Sequence, residues 1–77
     1  MKELLRYIAQ NLVDNPDAVV VNETQDEEGK IVLELHVASE DMGKVIGRQG
    51  RIAREIRTVI KSVAQRRGEK VTVEILD

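Results

Sequence analysis

The chain has no cysteine, phenylalanine or tryptophan, and one residue each of tyrosine (Tyr7), proline (Pro16) and histidine (His36). Without thiols it forms no disulfide, carries no thiolate nucleophile and builds no cysteine zinc site. This suits a reducing compartment. No stretch approaches the ~20 apolar residues that cross a bilayer. Met1-Lys2-Glu3-Leu4-Leu5 interleaves polar residues with apolar ones, unlike a secretory signal. A cytoplasmic location is the expectation. The shortage of rings also weighs against nucleic-acid modules that stack bases on Phe, Tyr or Trp.

Catalytic signatures are missing too. The glycines form neither G-x-x-x-x-G-K-[ST] nor G-x-G-x-x-G, and no nucleophile–histidine–acid set accompanies His36. That histidine falls on the polar side of an alternating segment and reads as a surface residue. Asp26-Glu27-Glu28 lacks the Asp/Asn spacing of a calcium loop and reads as a solvated acidic turn. The expectation is therefore a non-enzyme with no metal, no cofactor and no small-molecule substrate.

With 77 residues the sequence is read as one small domain over positions 1–77. Its 42% hydrophobic content places it among folded proteins rather than disordered tails. The net charge of −2 conceals a division: positions 1–42 carry three Lys/Arg against ten Asp/Glu, and positions 43–77 carry nine against four. Binding responds to the local field, so the second half is where an anion docks.

Leu4, Leu5, Ile8, Leu12 and Val13 recur at helical spacing and predict a helix from Lys2 to Val13, ended before Pro16. The valine-rich stretch from Ala18 to Thr24 predicts a strand. After the turn from Gln25 to Gly29, Ile31, Leu33, Leu35 and Val37 alternate with polar positions and predict its antiparallel partner. Ser39 is a suitable N-cap for a short helix from Glu40 to Ile46, stopped by Gly47. Glu40 and Asp41 suit the positive end of its dipole. A longer helix begins near Arg51, with Ile52, Ile56, Val59, Ile60 and Val63 on its apolar face, and stops at Gly68. Val71, Val73 and Ile75 alternate in a last strand. The order helix–strand–strand–helix–helix–strand predicts an α+β domain: a three-stranded mixed sheet with three helices on one face.

The chemistry concentrates at Gly47-Arg48-Gln49-Gly50. Two glycines bracket two polar residues between helices, flanked by Val45, Ile46 and Ile52. Glycine permits unusual backbone angles and lets a ligand lie against the main chain. Backbone N–H groups at the start of the following helix would point at an anion, as would the helix dipole. Arg48 and Arg51 add positive charge, and the aliphatic residues offer a surface to bases. Taken as four residues, the same pattern also describes a plain helix–helix turn.

Val45-Ile46-Gly47-Arg48-Gln49-Gly50-Arg51-Ile52-Ala53-Arg54-Glu55-Ile56 resembles the signature segment of the KH domain, (V/I)-I-G-x-x-G-x-x-I. The element order resembles the type II KH fold, and the likeness extends over essentially the whole chain. The resemblance implies a clamp on about four nucleotides of single-stranded RNA backbone. It also implies a groove between this loop with its helices and a sheet edge, and a role as an RNA chaperone or post-transcriptional regulator. The residues taken as RNA-binding are Gly47, Arg48, Gln49, Gly50, Arg51, Lys44, Val45, Ile46, Ile52 and Arg54. Arg57 and Lys61 read as a solvated helix face. One shallow groove binds weakly, so a second module is expected, by dimerisation or from a partner; the resemblance implies a homodimer or a heterodimer with another KH-containing protein. Single-stranded DNA is a second possible ligand. The contrasting reading is a protein-interaction adaptor on a KH scaffold, with nucleic acid secondary.

Overall fold

In the computed structural model, which describes residues 1–76 apart from the side chains of Arg48 and Gln49, six elements follow one another. They are α1 (Lys2–Gln10), a single 3-10 turn (Pro16–Ala18), β1 (Val20–Gln25), β2 (Ile31–His36), α2 (Ser39–Arg66) and β3 (Val71–Leu76). The sheet order is β1-β2-β3, with β1 antiparallel and β3 parallel to β2. The long α2 excursion between β2 and β3 supplies the crossover that parallel pairing requires.

Strand alternation decides which side chains enter the core. In register, Val21, Leu35 and Ile75 form one row and Glu23, Leu33 and Val73 the next, on the face toward the helices. Leu33 and Leu35 are fully buried there with Leu5 and Ala9 of α1 and Ile56 and Ile60 of α2. Each large aliphatic side chain so buried contributes about 1.5–3 kcal/mol. The opposite face carries the row Asn22, Glu34, Glu74.

The hairpin turn is held by Asp26, whose Oδ1 accepts from the backbone N–H of Glu28 (3.0 Å) and Lys30 (2.8 Å). Gly29 beside it has φ +83°, a left-handed angle that glycine adopts without steric cost.

Several boundaries differ from the sequence expectation. α1 ends at Gln10 rather than Val13, and β1 starts at Val20 because Pro16–Ala18 form their own turn. Ser39 is already helical; Ala38, in extended conformation, occupies the cap position and makes no side-chain cap bond. On α2 the buried stripe is Ala53, Ile56, Ile60 and Ala64, whereas Val59 is 44% exposed. The alanines let the helix approach the sheet closely, and Val59 lies off that stripe.

The larger difference is at the glycines. The sequence predicts two helices, one stopping at Gly47 and one starting at Arg51; the structure holds both in a single span, Ser39–Arg66. A glycine inside a helix costs only about 1 kcal/mol, too little to end one that packing supports. Yet the span is not straight. A straight 28-residue helix would be about 42 Å long, and the longest extent of the molecule is 34 Å. The break in regular geometry is at Gly50, where φ is +68°. Two arms of α2 meet there, so three helical arms cover the sheet, as the sequence predicts, with the second arm following Gly50.

Candidate nucleic-acid interface

The first arm of α2 is strapped to the connection that follows α1. Asp41 is 1% exposed, and its two carboxylate oxygens accept from the backbone N–H of Asp14 and of Asn15, each at 3.1 Å. Hydrogen bonds to a charged group contribute about 1.5–3 kcal/mol each. Nearby, Asn15 Nδ2 donates to Glu40 Oε1 at 3.3 Å, and Lys44 Nζ donates to Asp14 Oδ1 at 3.0 Å. The arm that leads to the glycines is thereby fixed in direction.

At the bend lies an open depression of about 570 Å³, lined by Gly43, Lys44, Gly47, Arg51, Ile52 and Glu55. Gly43 and Gly47 stand one turn apart on the same helix face. Among the described residues a Cβ at either would meet nothing within 4 Å, and the same holds at Gly50. The free protein therefore does not need glycine at 47 for steric reasons; the bare backbone there is open to a ligand. At Gly50 the positive φ is itself the requirement.

Lys44 and Arg51 bring positive charge from the two arms. Each already has an internal carboxylate: Asp14 for Lys44, and Glu55 for Arg51, whose Nε donates to Glu55 Oε1 at 3.4 Å. Both pairs are solvent-exposed, so each is worth no more than about 1 kcal/mol, and a phosphate can displace either carboxylate.

Among the residues singled out from the sequence, the structure thus gathers Lys44, Gly47, Arg51 and Ile52 around one depression. Gly50 forms the bend beside it. Arg54 stands on an adjoining surface with Arg51, Thr58 and Val59. Ile46 is 43% exposed and outside the depression, while Val45 has no exposed surface and cannot meet a base. The side chains of Arg48 and Gln49 lie outside the described residues. Three positions were not foreseen: Asp41, Gly43 and Glu55. Gly43 and Glu55 were legible from their four-residue spacing to Gly47 and Arg51. Asp41 was not, because its partners lie far away in sequence.

Comparison with known proteins decides the family. The model of the KhpA/KhpB KH domain matches residues 2–75. The chain belongs to the KhpA/KhpB KH-domain family. It is 59% identical over 76 residues to the RNA-binding protein KhpA of Clostridium perfringens, covering 99% of this chain and 100% of that one. It is 57% identical over the same length to the RNA-binding protein KhpA of Caldanaerobacter subterraneus, with the same coverage. Among solved structures it resembles Aquifex aeolicus Era bound to GDP and aluminium fluoride, with a TM-score of 0.64 at 20% identity. That match covers 96% of this chain but 28% of Era, and it shows the fold alone. The sheet with its three helical arms is therefore the KH fold.

Two further observations bound the chemistry. No cluster of His, Asp or Glu among the described residues is arranged to hold a metal ion. No described helix is long and apolar enough to cross a membrane.

Proposed function

We propose that this chain is a non-catalytic protein that binds single-stranded RNA at the Gly47–Gly50 bend. The observation that carries this reading is the combination of a left-handed Gly50 with an open backbone at Gly47, beside Lys44 and Arg51. A phosphodiester strand can lie against such a backbone, with the two cations meeting its phosphates and Ile52 beside its bases. Membership of a family whose curated relatives are named RNA-binding proteins supports the same ligand. Arg48, Gln49 and Arg54 complete the contact set. A shallow site for about four nucleotides binds weakly, so the working form pairs two modules, as a homodimer or with another KH-containing protein. The cellular role that follows is RNA chaperoning or post-transcriptional regulation in the cytoplasm.

The test is the double substitution Arg48→Asp with Gln49→Asp. Two negative charges repel phosphate while the core stays intact. RNA recovered with the variant in a crosslinking pulldown is expected to fall to background, with the thermal transition retained. A folded variant that retains RNA as the parent does would overturn the reading.

A further inference from the structure

Both α1 and α2 pack on one face of the sheet, and the other face is open. Strand alternation fixes what it presents. Val20, His36 and Leu76 form a row at one end, paired across the three strands. Val20 is 49% exposed and Leu76 38%, two of the five large apolar side chains that stand exposed among the described residues. The next row sets Glu34 directly opposite Glu74, with Asn22 beside them. The third row centres on half-buried Val32, between two threonines. The face is therefore apolar, acidic and apolar in turn, and none of its strand positions holds Lys or Arg.

The acidic row is unfavourable in the free protein. Side chains paired across neighbouring strands stand about 5 Å apart, where like charges repel. Among the described residues neither Glu34 nor Glu74 has a cation within ion-pair distance. One cation placed over the pair relieves the repulsion and meets two carboxylates together. The same repulsion disfavours other coverings. A second copy of this chain would bring two more carboxylates to the row, with no Lys or Arg on either face to offset them. A nucleic-acid backbone would be repelled as well.

The dimensions of the face point to a helix. Its rows lie about 6.6 Å apart along the strands, and the three strands span about 10 Å. A helix is about 10 Å across and brings residues i, i+4 and i+8 to one side at intervals of about 6 Å. An apolar, a cationic and an apolar residue at that spacing match the three rows.

We infer that the open sheet face is a docking surface for a cationic amphipathic helix of a partner protein. Lys or Arg at the middle of the helix's stripe lies over Glu34 and Glu74. Aliphatic residues one turn to either side cover Val20 with Leu76, and Val32. The bend at Gly50 belongs to α2, which packs on the other face, so RNA and this partner can be held together. The docking surface stands whether or not the bend binds RNA.

The probe is a synthetic alanine-rich helix of about 16 residues carrying Leu, Lys and Leu at four-residue intervals. Two controls accompany it: one with Glu in place of Lys, and one of the same composition with the stripe scrambled. The parent is compared with the double variant Glu34→Gln and Glu74→Gln. NMR amide shifts locate the contact, and the titration gives the affinity. The Lys peptide is expected to move the amides of Val20, Glu34, Glu74 and Leu76 and to leave those from Gly47 to Ile52 in place. It should bind the parent about tenfold more tightly than the variant, which lacks two exposed ion pairs. The variant should melt at or above the parent's temperature, because the repulsion is gone. A variant that binds as the parent does, a control peptide that binds equally well, or sheet amides that no peptide moves would each overturn the proposal. So would the same amides moving with RNA, or with protein concentration alone, which would give the face to nucleic acid or to a second copy.

Discussion

Alanine at Gly47 separates a glycine kept for the fold from one kept for a ligand. Its Cβ would meet nothing within 4 Å among the described residues, and the backbone there is not in the left-handed region. Alanine is favoured over glycine in a helix interior by about 0.8–1.0 kcal/mol. For a domain of this size 1 kcal/mol moves the melting temperature by about 4–8 °C. Gly47→Ala is thus expected to melt between zero and about 8 °C above the parent. If a phosphodiester strand lies against that backbone, the added methyl occupies its place and forfeits at least one hydrogen bond to a charged group. Such a loss is worth about 1.5–3 kcal/mol, or about 10- to 150-fold in affinity. Gly50→Ala behaves differently, because at φ +68° an L side chain costs about 1–2 kcal/mol, and its melting point should fall. Thermal melts beside anisotropy titrations with a short single-stranded RNA read both effects. A Gly47→Ala protein that is at least as stable as the parent and binds RNA equally well would refute the close-approach argument.

Asp41→Ala should lower stability by about 3–6 kcal/mol, since it strands two backbone donors that the buried carboxylate now accepts from; urea unfolding with an unchanged midpoint would contradict this. Asp14→Asn releases Lys44 from an exposed ion pair, so stability should move by less than about 1 kcal/mol while RNA affinity rises by up to about fivefold; an affinity loss would show that Asp14 holds Lys44 in a productive position. Arg51→Ala should leave the melting point within about 2–4 °C of the parent and make the salt dependence of RNA binding shallower by about 0.7. A salt slope identical to the parent's would remove Arg51 from the contact set.

The layout of the fold was legible because its determinants are local and periodic. The alternation Ile31, Leu33, Leu35 and the valines of β3 announced strands with one buried face, and the turn chemistry around Gly29 joined β1 to β2. The glycine pair was legible as well, but its backbone was not. Glycine propensity suggested a stop at Gly47, whereas the helix continues and turns only where Gly50 takes a left-handed angle. Local preference of about 1 kcal/mol per residue cannot outweigh the packing of both arms. Val45 and Val59 show the same limit. Each fits an aliphatic pattern, yet one is wholly buried and the other is turned outward. Asp41 depends on partners far apart in sequence, so periodicity carries no trace of its role. Arg57 and Lys61 read as a solvated face and are both exposed, and Arg57 Nε in addition donates to the carbonyl of Val73 in β3.

The most direct test of the clamp is an NMR titration with short single-stranded RNA and DNA oligomers of equal sequence, following every backbone amide. RNA is expected to shift the amides from Gly47 to Ile52 first and most, with DNA giving a weaker response at the same positions. A response confined to the Asp26–Gly29 turn, or no response between Gly47 and Ile52 with either strand, would contradict the account.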